Sequence, residues 1–579
     1  MWFFKRGQRK QMDFEEILLD ASNLPAFNKG RMEGRMELPV LKRNVYFVGV
    51  LFLCIAAWFL YQLYHLQIVR GAELYEISEN NSINETVIIA ERGVVYDRNG
   101  EMLAWNEHDN GDKYTFPMRA YTDRSGLGQV IGYVSYPQKD SKGFYYRTDY
   151  LGINGAEASF NDRLAGKNGQ QLLETDAIGA VIGEHVVQPP VSGEAVHLSI
   201  DAELSEAMYD IIATSTLQAG FRSGAAVIMD VETGEILAMT SYPSYDPEVM
   251  SDGDDAELIA AYNADDRFPF LNKVFAGAYT PGSVVKPFVA YAALKEGVIS
   301  ESTKMYSNGT LVLPNPYTPS EPTSFADWRS QGEMTVREAI AFSSNVFFYI
   351  VGGGLPQIAV PQAGLDRPFA GLGITKLNEY FVDFGFGKKT GIPLANEQSG
   401  TVPSPDWKMD TFNEEWTLGN TYHSAIGQFG WQATPLQMVV AYAALANDGV
   451  FLTPQIERNV EPVFEVKDLS DYELRVVQEG MRMTTNFPRG TARAFERNDV
   501  AIAAKSGTAE IGAGNAFVNS WAAGYWPYEE PKYAFVLMMD KAPRSNALGA
   551  TRIMGDVVEW MSIHKPEYLG IAPREAEEN

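Results

Sequence analysis

The sequence predicts a mixed α+β chain in three parts: one N-terminal membrane-spanning helix, a small α+β domain, and a large domain built on a helix-packed sheet. Three observations predict it. An uncharged apolar run of helical length lies near the N-terminus, glycine- and proline-punctuated strand patterns follow, and helical periodicity then alternates with apolar strands. At 579 residues the chain is longer than one hydrophobic core usually organises. Its 45% apolar and 21% charged residues are those of a folded globular protein.

The apolar run, Val45 to Tyr64, reads VYFVGVLFLCIAAWFLYQLY and has the length that a helix needs to cross a hydrocarbon core. Tyr46, Trp58, Tyr61 and Tyr64 lie toward its ends, as interfacial aromatics do. Lys5, Arg6, Arg9, Lys10, Lys29, Arg31, Arg35, Lys42 and Arg43 precede it, whereas only Arg70 follows before Arg92. This asymmetry puts residues 1–44 in the cytoplasm and the rest outside the cell membrane. The exit YQLYHLQIVRG has no small-x-small cleavage pattern, so the span reads as a retained anchor. The single cysteine, Cys54, excludes an intramolecular disulfide and suits a buried thiol within the run. In the tail, Phe14, Ile17 and Leu18 share one face of a short helix, either a partner-binding element or a loosely ordered surface segment.

Residues 65–193 read as the small domain. Val94, Val95 and Tyr96 have strand character and Asn99-Gly100 is a hairpin turn signal. GINGAEASFNDRLAGKNGQ then gives a short helix, and glycine- and proline-broken strands run to a boundary near Gly193. Residues 194–579 open with a helix that places Leu204, Met208, Ile211 and Ile212 on one face, with Asp201 as its cap. Two apolar strands around Glu232-Thr233-Gly234 follow, then helices between 283 and 450, and late strands around 501–508 and 518–540. A formal charge of −27 with no basic stripe excludes a nucleic-acid role.

Three segments carry chemistry. In Thr280-Pro281-Gly282-Ser283-Val284-Val285-Lys286-Pro287, Pro-Gly breaks the chain and Ser283 to Lys286 occupy a helix's first turn. Serine and lysine then share one face at i and i+3, where a lysine of depressed pKa can take the serine's proton. In Ala341-Phe342-Ser343-Ser344-Asn345-Val346-Phe347, polar residues interrupt an apolar run, so they either cap a buried helix or line a site. In Ala501-Ile502-Ala503-Ala504-Lys505-Ser506-Gly507-Thr508, a strand ending at Lys505 leads into two hydroxyls and a glycine, which lets a ligand backbone come close. Lys389-Thr390-Gly391 resembles this last pattern but lies between FGFG and Ile392-Pro393, which reads as a loop.

Taken together and in order, these segments resemble the Ser-x-x-Lys, Ser-x-Asn and Lys-Thr/Ser-Gly set of penicillin-binding proteins and serine β-lactamases. Arg92-Gly93, YDRNG at 96–100, GAAVIMDVETGEILAM, FGFGKKTGIPL and NSWAAGYWPY extend the resemblance to class B penicillin-binding proteins over roughly residues 45 to 565. PSPDWK, EEWTLGN and AIGQFGWQATPLQM look more like the elongation-type penicillin-binding protein 2 than the division type.

The resemblance implies an antiparallel transpeptidase sheet on a pedestal and acyl transfer from D-alanyl-D-alanine stem peptides, with β-lactams as mimics. Ser283 becomes the nucleophile, Lys286 its base, Ser343 a proton relay, Asn345 a holder of Lys286 and substrate amide, and Lys505 a positive field. Ser506, Gly507 and Thr508 become the carboxylate-binding strand, and the backbone N–H groups of Ser283 and Thr508 the oxyanion hole. It also implies a membrane glycosyltransferase partner and no cofactor. Some elongation-type members hold a metal through a histidine and a cysteine near the second motif; DWRSQGEMT offers neither, so no zinc is expected. Where the family has Ile-Gly-Gln-Gly, this chain has Ile426-Gly427-Gln428-Phe429, which puts that loop's geometry in question. A non-catalytic β-lactam sensor or scaffold, and a D,D-carboxypeptidase or β-lactamase, are the rival readings. The six histidines show neither metal-ligand spacing nor a partner for a serine triad, although His423 in TYHSAIGQ is placed to approach the site.

Overall fold

The structure is a computed structural model that describes residues 42–75, 83–108, 116–141, 145–175, 181–315, 318 and 320–572. The predicted helix over Phe14–Leu18 lies outside them. Contacts divide the chain into two units, residues 1–84 with 173–184, and residues 85–172 with 185–579. In the first, α1 (Lys42–Tyr64) continues as a π-helical turn to Val69 and is long and apolar enough to cross a membrane. Cys54 is exposed on α1, not buried as the sequence suggested, because no described element buries that helix surface.

The following elements are β1 (Ile83–Ile88), β2 (Val95–Tyr96), β3 (Met102–Glu107), β4 (Met118–Tyr121), α2 (Gly155–Ser159), β5 (Gly169–Thr175), β6 (Val181–Gln188) and β7 (Val196–His197). Strands β1, β5 and β6 form one sheet in the order β1-β5-β6, and a second runs β7-β2-β3-β4. The predicted hairpin is present: β2 pairs antiparallel with β3, and Gly100 takes the left-handed φ of 88° that its turn needs. Asp97 secures that turn by accepting from the N–H groups of Asn99 and Glu101.

Beneath this sheet Glu157 on α2 bridges two arginines, Arg92 Nε at 2.5 Å and Arg119 Nε at 2.8 Å, with all three side chains fully buried. Close by, the chain crosses itself at two glycines: Gly93 N–H donates to Leu164 O and Gly193 N–H to Glu91 O. A Cβ at Gly93 would lie 1.9 Å from Glu194 O, and one at Gly193 would lie 1.8 Å from Leu164 O.

Helix α3 (Ala202–Ala219) starts at Asp201, whose carboxylate accepts from Leu204 N–H at 2.9 Å. Strands β8 (Ser223–Asp230) and β9 (Ile236–Tyr242) flank the predicted Glu232-Thr233-Gly234 turn. Next come α4 (Lys286–Lys295), α5 (Val336–Ala341), α6 (Asn345–Gly353), α7 (Pro435–Ala446) and α8 (Asp471–Asn486). Strands β10 (Ala503–Ile511), β11 (Phe517–Trp526) and β12 (Tyr533–Pro543), then α9 (Ala550–His564), complete the fold. The apolar stretch at 518–540 is therefore two strands with a turn between them. The sheet order is β9-β8-β12-β11-β10, antiparallel throughout.

Strand alternation then sorts the core. Ala226, Ile228 and Leu537 pack with Leu204, Met208 and Ile212 of α3 and Ile553 and Val557 of α9. Ala225, Val227 and Val536 face Phe288 and Val289 of α4 and Met438 and Val439 of α7. The inner position of α4 sets where its first residue, Lys286, can reach.

Removing the shared carboxylate by Glu157→Ala strands two buried guanidiniums. It is expected to cost about 3–5 kcal/mol, read as a fall in the thermal unfolding midpoint.

Candidate active site

Ser283 lies in a 3-10 turn, Gly282–Val285, that leads into α4, so the sequence's expected first α-helical turn is wound more tightly. In a 3-10 turn, residues i and i+3 eclipse, which aligns Ser283 with Lys286. The turn is clamped to its surroundings through backbone. Gly282 N–H donates to Gly427 O at 3.0 Å, Trp521 Nε1 donates to Thr280 O at 3.0 Å, and Tyr442 OH donates to Val284 O at 2.8 Å. Gly282 has a φ of 60°, and a Cβ there would meet Thr508 O at 2.8 Å. Gly507 is confined similarly: an added Cβ would lie 2.9 Å from Pro281 O and from Val284 Cγ1. The segment that needs the missing side chain is thus the chain's own turn bearing Ser283.

Lys286 is fully buried, and its amine donates to Ser343 O at 2.8 Å, Asn345 Oδ1 at 2.7 Å and Ser343 Oγ at 3.4 Å. Ser283 Oγ makes no hydrogen bond to a described residue, so the lysine is poised through Ser343 and Asn345 and not by direct contact. Lys505 is also fully buried and donates to the same Ser343 Oγ at 2.8 Å and to Ser506 O at 2.8 Å. Burial pushes the Lys286 amine down to about 7, an effect that the Asp327 carboxylate partly offsets. Burial, and then the charge on Lys286, push Lys505 well below the ordinary lysine range. Two ammonium groups around one hydroxyl repel each other, so the pair favours giving up one of its protons.

The second motif both caps a buried helix and lines the site. Ser344 is the N-cap of α6 and accepts from Phe347 N–H, while Ser343 adopts a left-handed φ of 55° that turns its hydroxyl toward the two lysines. The third motif lies inside β10, which starts at Ala503 and runs through it, so Lys505 does not end the strand. Ser506 is half-buried and Thr508 exposed on the open face, and Thr491 Oγ1 shares a 2.6 Å hydrogen bond with Ser506 Oγ. Lys389-Thr390-Gly391 is indeed a loop, fastened by Glu397, which accepts from Thr390 N–H and Oγ1 and from Gly391 N–H.

Asp327 was not singled out from the sequence, yet it organises the second motif. Its buried carboxylate accepts from Ser344 Oγ at 2.6 Å, Asn345 N–H at 3.0 Å, Val346 N–H at 3.3 Å and Ser307 Oγ at 3.3 Å. It therefore supplies negative charge to the N-terminus of α6 from outside the helix. The signal available was indirect: buried hydroxyls at a helix start require an acceptor, but nothing local says which residue supplies it. His423 packs against Phe325 and Tyr349, with burial holding its pKa below the usual value. Phe429 keeps a left-handed φ of 57°, and its ring packs edge-on between Trp407 and Trp416.

Residues 224–559 match the penicillin binding protein transpeptidase domain, and residues 112–198 match the penicillin-binding protein dimerisation domain. The chain belongs to the class B penicillin-binding proteins. The peptidoglycan D,D-transpeptidase MrdA of Escherichia coli is 29% identical over 88% of this chain and 92% of its own. The crystal structure of Pseudomonas aeruginosa PBP2 in complex with WCK 5153 has a TM-score of 0.67 at 27% identity, covering 85% of this chain and all of that one. A chain from a peptidoglycan synthase complex that coordinates polymerization and crosslinking has a TM-score of 0.69 at 25% identity, covering 93% of this chain and 100% of its own. This penicillin-binding protein is accordingly a serine-type acyl-transfer enzyme, and it resembles MrdA over more of its length than it resembles the FtsI of Escherichia coli.

Asp327→Asn leaves hydroxyl and N–H donors of the second motif facing an amide nitrogen. The expected loss is about 2–3 kcal/mol of stability, measured by chemical unfolding.

Proposed function

We propose that this chain is a membrane-anchored D,D-transpeptidase that cross-links peptidoglycan stem peptides through an acyl-enzyme on Ser283 and is acylated there by β-lactams. The observation that carries it is the convergence of buried Lys286 and Lys505 on Ser343 Oγ, beside the turn that bears Ser283. Ser283 Oγ attacks the carbonyl of the terminal D-alanyl-D-alanine bond while Lys286, neutral, takes its proton. Ser343 passes that proton to the leaving D-alanine amine as the carbon–nitrogen bond breaks. An amine from a neighbouring stem then attacks the ester, its proton returns by the same route, and Ser283 is restored. The substrate's carboxylate at Ser506 and Thr508 favours the charged form of Lys505, which leaves Lys286 as the neutral partner. Asn345 holds Lys286 by one end of its amide, and the N–H groups of Ser283 and Thr508 receive the oxyanion.

In this reading residues 1–44 are a cytoplasmic tail, 45–64 the anchor, 65–193 the pedestal and 194–579 the transpeptidase domain. The positive residues before α1 support a cytoplasmic N-terminus. The likeness to a chain of a synthase complex supports a glycosyltransferase partner in the membrane.

Incubating the detergent-extracted full chain with labelled penicillin is expected to give one covalent adduct on Ser283, absent in Ser283→Ala. An adduct that survives the substitution sinks the assignment. The acylation rate is expected to fall about tenfold for each pH unit below about 7 as Lys286 gains a proton. Because Asp327 raises the Lys286 pKa, Asp327→Asn should move that acid limb to lower pH. A limb that stays in place removes Lys286 as the base.

A further inference from the structure

Two exposed guanidiniums, Arg329 and Arg489, lie close in the chain to the second and third motifs and have no carboxylate partner among the described residues. Arg329 Nε donates to Gln331 Oε1 at 3.3 Å, and Arg489 Nη2 donates to the same oxygen at 3.1 Å. Their other acceptors are also neutral: Arg329 Nη2 donates to Arg489 O at 3.3 Å and Arg489 Nη2 to Gln331 O at 3.0 Å. Each is stacked on an aromatic ring, Arg329 over Trp328 at 4.1 Å and Arg489 over Phe342 at 4.2 Å. Gln331, whose amide oxygen accepts from both, is buried. Partial desolvation and then the charge on Arg489 lower the Arg329 pKa, as expected for like charges held together. The carboxylate acting on Arg329 is Asp327, already committed to the start of α6.

The pair's position ties it to the reaction. Phe342, under Arg489, directly precedes Ser343, and its carbonyl accepts from Trp328 Nε1 and Gln331 Nε2. Arg489 is two residues from Thr491, which bonds Ser506 through its hydroxyl and Ala341 O through its N–H. On a chain with a formal charge of −27, a convergent cationic pair beside the carboxylate-binding strand is a local reversal of field.

We propose that Arg329 and Arg489 form a carboxylate-capture site at the cleft rim, which draws the anionic terminus of the acyl-donor peptide, or the carboxylate of a β-lactam, toward Ser506 and Thr508. This rests on the acyl-transfer reading above. Two cations ordered by neutral oxygens and aromatic faces gain most from an incoming carboxylate, which they can bind bidentately. A charge at a rim acts mainly on the rate of capture and on its salt dependence.

The test compares second-order acylation rates for a penicillin and for its carboxyl methyl ester, at low and high salt. In R329Q/R489Q the ratio of the acid's rate to the ester's should fall about tenfold at low salt, and the salt dependence of the acid's rate should flatten. R329K/R489K, which keeps the charges, should restore most of the ratio. An unchanged ratio, with wild-type salt dependence, overturns the capture site and leaves Ser283 acylation standing. A wild-type chain that neither compound acylates overturns both readings.

Discussion

The structure turns on two buried ammonium groups sharing one hydroxyl. Taking even one such charge out of water costs several kcal/mol, and here two donate to the same Ser343 Oγ. The cost is met locally by the Ser343 and Ser506 carbonyls and the Asn345 amide oxygen, and at longer range by the Asp327 carboxylate. What remains is a standing pressure to lose a proton, which is the state that the proposed base requires. The packing of α4 against α5, α6 and α8, and the winding of the 3-10 turn, keep that pressure beside Ser283.

Much of this was legible along the chain because acyl-transfer motifs are short and ordered. Ser283 and Lys286, Ser343 to Asn345, and Lys505 to Thr508 each lie within a short stretch of consecutive residues, so their spacing carried information. The strand setting of Lys505 and the loop setting of Lys389 followed from small residues in one case and from glycine and proline in the other. The apolar helix Lys42–Tyr64, the Asp201 cap and the turns at 99–100 and 232–234 were equally local.

What the chain did not disclose depends on topology. Asp327 reaches the second motif across 17 positions to Ser344, and Thr491 reaches Ser506 across 15. Neither pairing has a period or a spacing rule. Gly507 shows the same limit: a glycine beside a site suggested room for a ligand, whereas the room is filled by Pro281 O and Val284. Phe429 was legible only as a departure. The structure keeps the backbone turn that a glycine would take and accepts the strain in exchange for edge-on contacts with two tryptophans.

The glycine crossing at Gly93 and Gly193 bears on how this molecule can carry a mechanical signal. Three stretches far apart in sequence meet there by main-chain hydrogen bonds, with no side chain between them to give way. Next to that crossing lies the rigid Arg92–Glu157–Arg119 bridge. Such a junction behaves as a rivet and not as a hinge. A displacement imposed on residues 85–172 would pass on as a rigid-body movement of the helices and strands bonded to them, with little of it absorbed by bending at the joint.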